Sequence, residues 1–196
     1  MPNKLSGVIV RYRYPMNEKE LDMSDMPLPY WAFAWAGGQG LARYILDHPD
    51  CVRNKVVLDF AAGSGLVAIA AAIAGAKRVI ANDIDPFSMT ATSMNAALND
   101  VSVDLIGDDL VGQPEPVVDT IAAGDICYEE PLAQEVEAWL RQHVRRGSDV
   151  LIGDPGRAYL PTAGMVPLNR YSVELTQPLE DHDVRRAKVY RMIEVA

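Results

Sequence analysis

Along residues 55–154, two kinds of hydrophobic pattern take turns. Short apolar runs rich in β-branched residues fit strands buried on both faces. Stretches in which apolar side chains recur every third or fourth position fit helices with one buried face. The runs predict strands over 55–60, 78–82, 101–106, 119–123 and 149–153. Between them, Leu66, Ile69, Ala70 and Ile73 share a helical face, and Gly75 is placed to end that helix. Pro86 opens a second helix over 86–98, since proline suits a first helical turn. Leu132, Val136, Trp139 and Leu140 mark a third. Ahead of the series, Leu41, Tyr44 and Ile45 predict a helix over 38–47, stopped by Pro49. Behind it, 171–176 and 187–195 are β-rich and are separated by the polar stretch 180–183, as in an antiparallel pair. Strands alternating with helices imply a parallel sheet covered on both faces. The expected fold is therefore α/β and doubly wound, a seven-strand sheet that is mostly parallel with antiparallel C-terminal strands.

The stretch before residue 30 is polar and irregular, with Pro15, Pro27 and Pro29, and Arg11 to Tyr14 reads as a short strand or an extended arm. Tyr30, Trp31, Phe33 and Trp35 then crowd together just before Gly37 and Gly38. The expected organisation is one domain over 1–196, with an N-terminal arm and aromatic lid over 1–36 and the core over 37–196. A chain of 196 residues, 49% hydrophobic, suits that single core.

Charge narrows the partners. Eighteen Lys and Arg against 27 Asp and Glu leave a net charge of -9, which disfavours approach to nucleic-acid backbones. A partner presenting a lysine fits better. No apolar run reaches the ~18 residues of a membrane span. The opening Met1-Pro2-Asn3-Lys4-Leu5 has neither a signal-peptide core nor an arginine-rich presequence. Cys51 and Cys127 form no disulfide framework or metal knuckle, and His48, His143 and His182 are scattered, so no metal site is expected. The expected setting is a bacterial cytoplasm, and the expected state a monomer. The basic runs 141–146 and 185–191 read as solvated faces.

The chemistry concentrates after the first strand. Asp59, Ala61, Gly63, Ser64 and Gly65 form a strand end, a glycine turn and a helix start. Small residues there let the backbone approach a ligand, and the helix N-terminus offers free N–H groups. Asp83, just past the second strand with Ile84 beside it, is placed to accept both hydroxyls of an adenosine ribose. Asp85 is the better cap for the helix at Pro86. The spacing of Gly63, Gly65 and Ala68 also matches a dinucleotide fingerprint, so NAD and S-adenosyl-L-methionine both fit. Asp59 separates them, because a carboxylate there repels a pyrophosphate and attracts an α-ammonium. Asp108 or Asp109, after the third strand, could accept from an adenine amino group.

With these motifs the chain resembles the class I, seven-strand, Rossmann-like S-adenosylmethionine-dependent methyltransferases. More narrowly, it is similar to the lysine methyltransferases of the electron transfer flavoprotein β subunit and their bacterial relatives. The resemblance runs over about 29–157 and is carried by residues 29–39, 81–86, 124–129 and 152–157. Ala61 departs from it, standing where many members have the first glycine, and the first 28 residues match nothing in it.

The resemblance implies a lysine channel lined by Asp125 and Tyr128, an Asp-x-x-Tyr motif that follows Gly124. A carboxylate at the C-terminal end of a parallel strand points into the ligand crevice, and a tyrosine gives an aromatic wall with a polar tip. It also places Trp35 over the cofactor, although Trp31, Phe33 and Trp35 could instead cover a sheet edge. Base methyltransferases usually carry an Asn/Asp-Pro-Pro-aromatic turn after strand four, whereas here Asp154-Pro155 follows strand five. The implied reaction moves a methyl from S-adenosyl-L-methionine to lysine ε-amines of a protein, with the flavoprotein β subunit the first candidate. A ribosomal or translation protein, a small-molecule acceptor, an NAD-dependent oxidoreductase and a non-catalytic cofactor-binding module are the rival readings.

Overall fold

The structure, a computed structural model, describes residues 30–114, 116–174 and 184–195. The arm over 1–28, the segment 11–14, His182 and the polar stretch 180–183 lie outside the described residues.

The sheet has seven strands in the order β3-β2-β1-β4-β5-β7-β6. They are β1 (Val56–Phe60), β2 (Arg78–Asn82), β3 (Asp104–Ile106), β4 (Thr120–Gly124), β5 (Asp149–Asp154), β6 (Met165–Glu174) and β7 (Val184–Met192). The first five pair in parallel, and β7 runs antiparallel between β5 and β6. The expected fold class is therefore the observed one. Successive strand residues point to opposite faces. Val57 and Val79 accordingly join Leu41, Ile45 and Ala68 in one core, and Leu58 and Ile80 join Trp139 and Leu140 in the other. The helices are α1 (Ala36–Asp47), α2 (Leu66–Ile73), α3 (Pro86–Leu98) and α4 (Leu132–Arg145). Chain order reverses between β1 and β4, which opens a crevice at the C-terminal strand ends.

Local sequence explains two of the helix ends directly. The Asp85 carboxylate accepts from the Phe87 N–H at 2.8 Å and caps α3 as expected. Gly75 follows α2 in the left-handed region, at φ +92°. α1 opens at Ala36, ahead of the expected position 38. Its first turn lies directly on the sheet, because a Cβ on Gly153 would come within 2.2 Å of the Gly37 carbonyl oxygen. A Cβ on Gly124 would likewise meet the Gly38 Cα at 2.8 Å.

Other expectations are corrected. The third strand covers only Asp104–Ile106, not 101–106, because the Val101 N–H is spent on the Ala96 carbonyl at the end of α3. β6 begins at Met165, well before 171, and a ladder irregularity at Pro167/Asn169 hides it from period-two reading. β7 stops at Met192, where Ile193 turns its N–H to Gly164. Arg141 is not part of a solvated face: it pairs with Glu137 at 2.7 Å and donates to the Ala163 carbonyl at 2.8 Å. Arg191 similarly holds Asp149 at 2.8 Å. No helix among the described residues is long and apolar enough to cross a membrane. No cluster of His, Cys, Asp or Glu among them could hold a metal ion.

Candidate active site

A cavity of about 600 Å³ fills the crevice above the ends of β1, β2 and β4. The glycine turn after β1 forms its floor, and the aromatic segment Tyr30 to Trp35 forms one wall.

The floor is held from two sides. In front, the Asp83 carboxylate accepts from the Gly63 N–H at 2.8 Å and from the Asp85 N–H at 3.0 Å. Behind, Ser88 and Thr92 donate to the Gly63 carbonyl at 2.7 and 3.1 Å, and Asn95 donates to the Ser64 carbonyl at 2.9 Å. These three polar residues are fully or almost fully buried on α3. Sequence reasoning missed them, although their spacing of four and then three residues is a helical face. Ala61 and Gly63 both lie in the left-handed region, at φ +54° and +55°. The alanine in place of the family's glycine therefore costs roughly 1 kcal/mol of backbone strain. Gly65 packs against Thr92 rather than lining the cavity; a Cβ there would lie 2.7 Å from the Thr92 Cγ2.

Asp59 reaches the cavity from the penultimate position of β1 but is 98% shielded, at 2% exposure. It accepts from the Ala68 N–H at 2.7 Å, tying α2 to the strand. Burial pushes its carboxyl up from 3.8 to about 8; the Ala68 bond opposes this and the Asp83 charge adds to it. Asp59 is thus largely protonated at neutral pH until a cation meets it. Of the acid pair after β3, Asp109 lines the cavity, whereas Asp108 gives its carbonyl to the Asn82 amide at 2.8 Å. Ile84 stands exposed on the rim.

Asp125 follows Gly124 at the end of β4, in the left-handed region at φ +58°. Its Oδ2 accepts from the Gly38 N–H at 2.9 Å, and its Oδ1 accepts from Arg157 Nη2 at 3.1 Å and Nε at 3.3 Å. Burial pushes this carboxyl up to about 6, with the Arg157 charge holding it down. Tyr128 stands half-exposed at the mouth, its ring stacked on Tyr30 at 6.3 Å. Trp35 presents its face to the Arg157 guanidinium, 5.5 Å from the ring centroid, and anchors its Nε1–H on the Tyr30 carbonyl at 2.7 Å. Trp31, Phe33 and Trp35 all line the cavity, so the aromatic segment is a wall of the site rather than cover for a sheet edge.

Arg157, the last residue of the segment 152–157, also lines the cavity, a place that its sequence neighbours do not signal. It is the one cationic side chain among the described lining residues, and it is paired. Asp59, Asp83, Asp109 and Asp125 share the cavity with it. That set of acceptors suits a ligand with an ammonium and hydroxyls, not one with phosphates.

Residues 44–142 match the protein family described as ribosomal protein L11 methyltransferase (PrmA). An electron transfer flavoprotein beta subunit lysine methyltransferase of Danio rerio is 40% identical over 163 residues, covering 82% of this chain and 56% of that protein. The protein of the same name from Xenopus laevis is 39% identical over 168 residues, covering 83% of this chain and 68% of its own length. The chain belongs to this lysine methyltransferase family. The motif resemblance over 29–157 is therefore borne out. The family fold extends to the crystal structure of ribosomal protein L11 methylase from Lactobacillus delbrueckii subsp. bulgaricus, with a TM-score of 0.54 at 26% identity, covering 78% of this chain and 77% of that one. The chain spans little more than half of the Danio rerio family member.

Proposed function

We propose that this protein transfers methyl groups from S-adenosyl-L-methionine to lysine ε-amines of a protein substrate, the electron transfer flavoprotein β subunit first. One observation carries the reading: Asp125 and Tyr128 open into the same cavity as Asp59 and Asp83, in a chain 40% identical to a lysine methyltransferase of that subunit.

The cavity fits the cofactor by its acceptors. Asp83 offers acceptors to ribose hydroxyls from beside the Gly63 turn. Asp59 offers a buried carboxyl that an α-ammonium would ionise. Asp109 is at hand for an adenine amino group, and Ser64 and Ile84 frame the pocket. When bound, S-adenosyl-L-methionine supplies an electrophilic methyl on a sulfonium, which leaves with the S–C electron pair as a neutral thioether.

The remaining work falls to the chain. A free lysine holds its proton to a pKa of ~10.4, so the nucleophile must be freed as it enters. Desolvation as the amine passes the Tyr128 ring toward the buried Asp125 favours its neutral form. Asp125 accepts one amine N–H and aims the lone pair; such orientation supplies up to roughly 7–11 kcal/mol in favourable systems. After the N–C bond forms, the extra proton on nitrogen passes to water.

The match over 44–142 to the L11 methyltransferase family supports a second reading, in which a ribosomal protein is the acceptor. The two buried cysteines are free, as in a reducing compartment, and both relatives named above are from animals. The test is to incubate the protein with radiolabelled cofactor and either purified flavoprotein or a cell extract. Label on the flavoprotein β subunit supports the first reading. Label on a ribosomal protein alone supports the second, and no label on any protein sinks both.

A further inference from the structure

The acid assigned to the lysine already carries a cation. Arg157 meets Asp125 Oδ1 with both Nη2 and Nε, at 3.1 and 3.3 Å. Its guanidinium lies over the Trp35 ring at 5.5 Å. Its backbone is fixed as well: Asp154 Oδ1 accepts from the Gly156 and Arg157 N–H groups at 2.6 and 2.7 Å. Gly156 takes φ +103°, so the turn needs glycine there. Asp154 is completely buried and its Oδ2 has no partner, so a costly polar group is retained inside the fold for this turn. A side chain held by a carboxylate, a ring and a capped turn is built to stay.

Charge explains what it would do there. A lone buried carboxylate facing a lysine raises the amine's pKa and keeps the ammonium, the wrong form for attack. A paired carboxylate still accepts a hydrogen bond, but the pair is neutral overall. We propose that Arg157 is a positioning residue that stays on Asp125 through the reaction, orienting its carboxylate and cancelling its charge so that an incoming lysine sheds its proton to water. This inference rests on the lysine methyltransferase reading. The groups facing Asp125 among the described residues are few. Asp154 comes from the end of β5, Arg157 from the turn after it, the Cys127 thiol from Asp125's own loop and the Gly38 N–H from α1.

The first arm of the test needs neither substrate nor cofactor. Carbon-13 carboxyl NMR follows the titration of Asp125 in the wild type and in Arg157→Gln, with a thermal melt to verify folding. The wild type should titrate at about 6. Without the guanidinium the midpoint should rise by about one pH unit or more. The second arm compares pH profiles of methyl transfer to the labelled protein. Arg157→Gln should lose about tenfold or more in kcat at neutral pH, with KM changed less than about twofold and the acid limb moved upward. Arg157→Lys keeps the charge but not the fork, so it should restore the titration midpoint more than the rate. An unmoved Asp125 midpoint in an active enzyme overturns the inference alone. So does a variant with lowered KM and raised kcat, since Arg157 would then be a placeholder that lysine displaces. A wild type that methylates no lysine overturns the function reading, and the lysine half of this inference with it.

Discussion

Gly37 and Gly153 touch backbone to backbone: a Cβ on Gly37 would lie 2.3 Å from the Gly153 carbonyl oxygen. This contact seats the first turn of α1 on the ends of β4 and β5, and one residue further on Gly38 donates its N–H to Asp125. Gly153→Ala should therefore force the helix away, costing about 1–3 kcal/mol or more. Gly38→Ala is the control, because its Cβ meets nothing within 4 Å. It should gain up to about 1 kcal/mol from helix propensity. Urea denaturation of both variants distinguishes them, and equal destabilisation would remove the contact from the account.

Asp83→Ala deletes the acceptor expected for the ribose and frees the Gly63 N–H that the carboxylate now holds at 2.8 Å. Bonds to charged groups are worth roughly 1.5–3 kcal/mol, so affinity for S-adenosylhomocysteine should fall about ten- to a hundredfold. Calorimetry measures it directly, and an unchanged affinity would take Asp83 out of the cofactor site.

Much of this layout was legible in the chain. The spans 78–82 and 86–98 were read to the residue, because β2 is apolar and flanked by breakers and α3 opens at Pro86 behind a capping aspartate. The glycine turn, Asp59, Asp83 and Asp125 announced themselves by their places at strand ends. β6 was misread at its start because Pro167 and the bulge beside it break the alternation that marks a strand. Arg157 carried no periodic signal. Its meaning comes from Asp125, 32 residues earlier, which only the folded β4-β5 pairing brings alongside. Gly65 lies behind the cavity floor, packed on Thr92 of α3, and of the pair Asp108 and Asp109 it is Asp109 that lines the cavity, a choice spacing alone leaves open.

Asp59 makes stability depend on pH. Its carboxyl titrates at about 8 in the fold, above the ordinary 3.8. A raised group contributes stability fully below its unfolded pKa and loses it as pH rises through the folded one. Stability should decline between about pH 4 and 8, by up to about 1.4 kcal/mol per pH unit from this group. Asp59→Asn should flatten that slope in denaturant titrations. A wild-type curve rising through this window, or a slope unchanged by Asp59→Asn, would contradict the assignment.

The same carboxyl should ionise when an ammonium arrives beside it. Binding of S-adenosyl-L-methionine near pH 7 should then release a proton from the protein. Calorimetry in buffers of different ionisation enthalpy detects it, and Asp59→Asn should abolish the buffer dependence. A wild type whose binding heat is the same in every buffer would place the cofactor's ammonium elsewhere.

A net charge of -9 should draw a lysine from a basic segment toward the cavity. Added salt should therefore lower kcat/KM on a protein substrate while leaving cofactor affinity nearly unchanged. Rates measured across a salt series check this, and a rate that rises with salt would point to an acidic acceptor surface.

Methyl transfer to lysine through Asp125 is read out residue by residue in tandem mass spectrometry. Purified flavoprotein is incubated with S-adenosyl-L-methionine and either the wild type or Asp125→Ala, and its lysines are mapped. Methylated lysines are expected on the β subunit with the wild type, and a loss of at least about a hundredfold with Asp125→Ala despite retained cofactor binding. Equal methylation by the two proteins would contradict the role of Asp125. An unmodified flavoprotein, beside a methylated protein of another kind in a parallel incubation with cell extract, would contradict the choice of substrate.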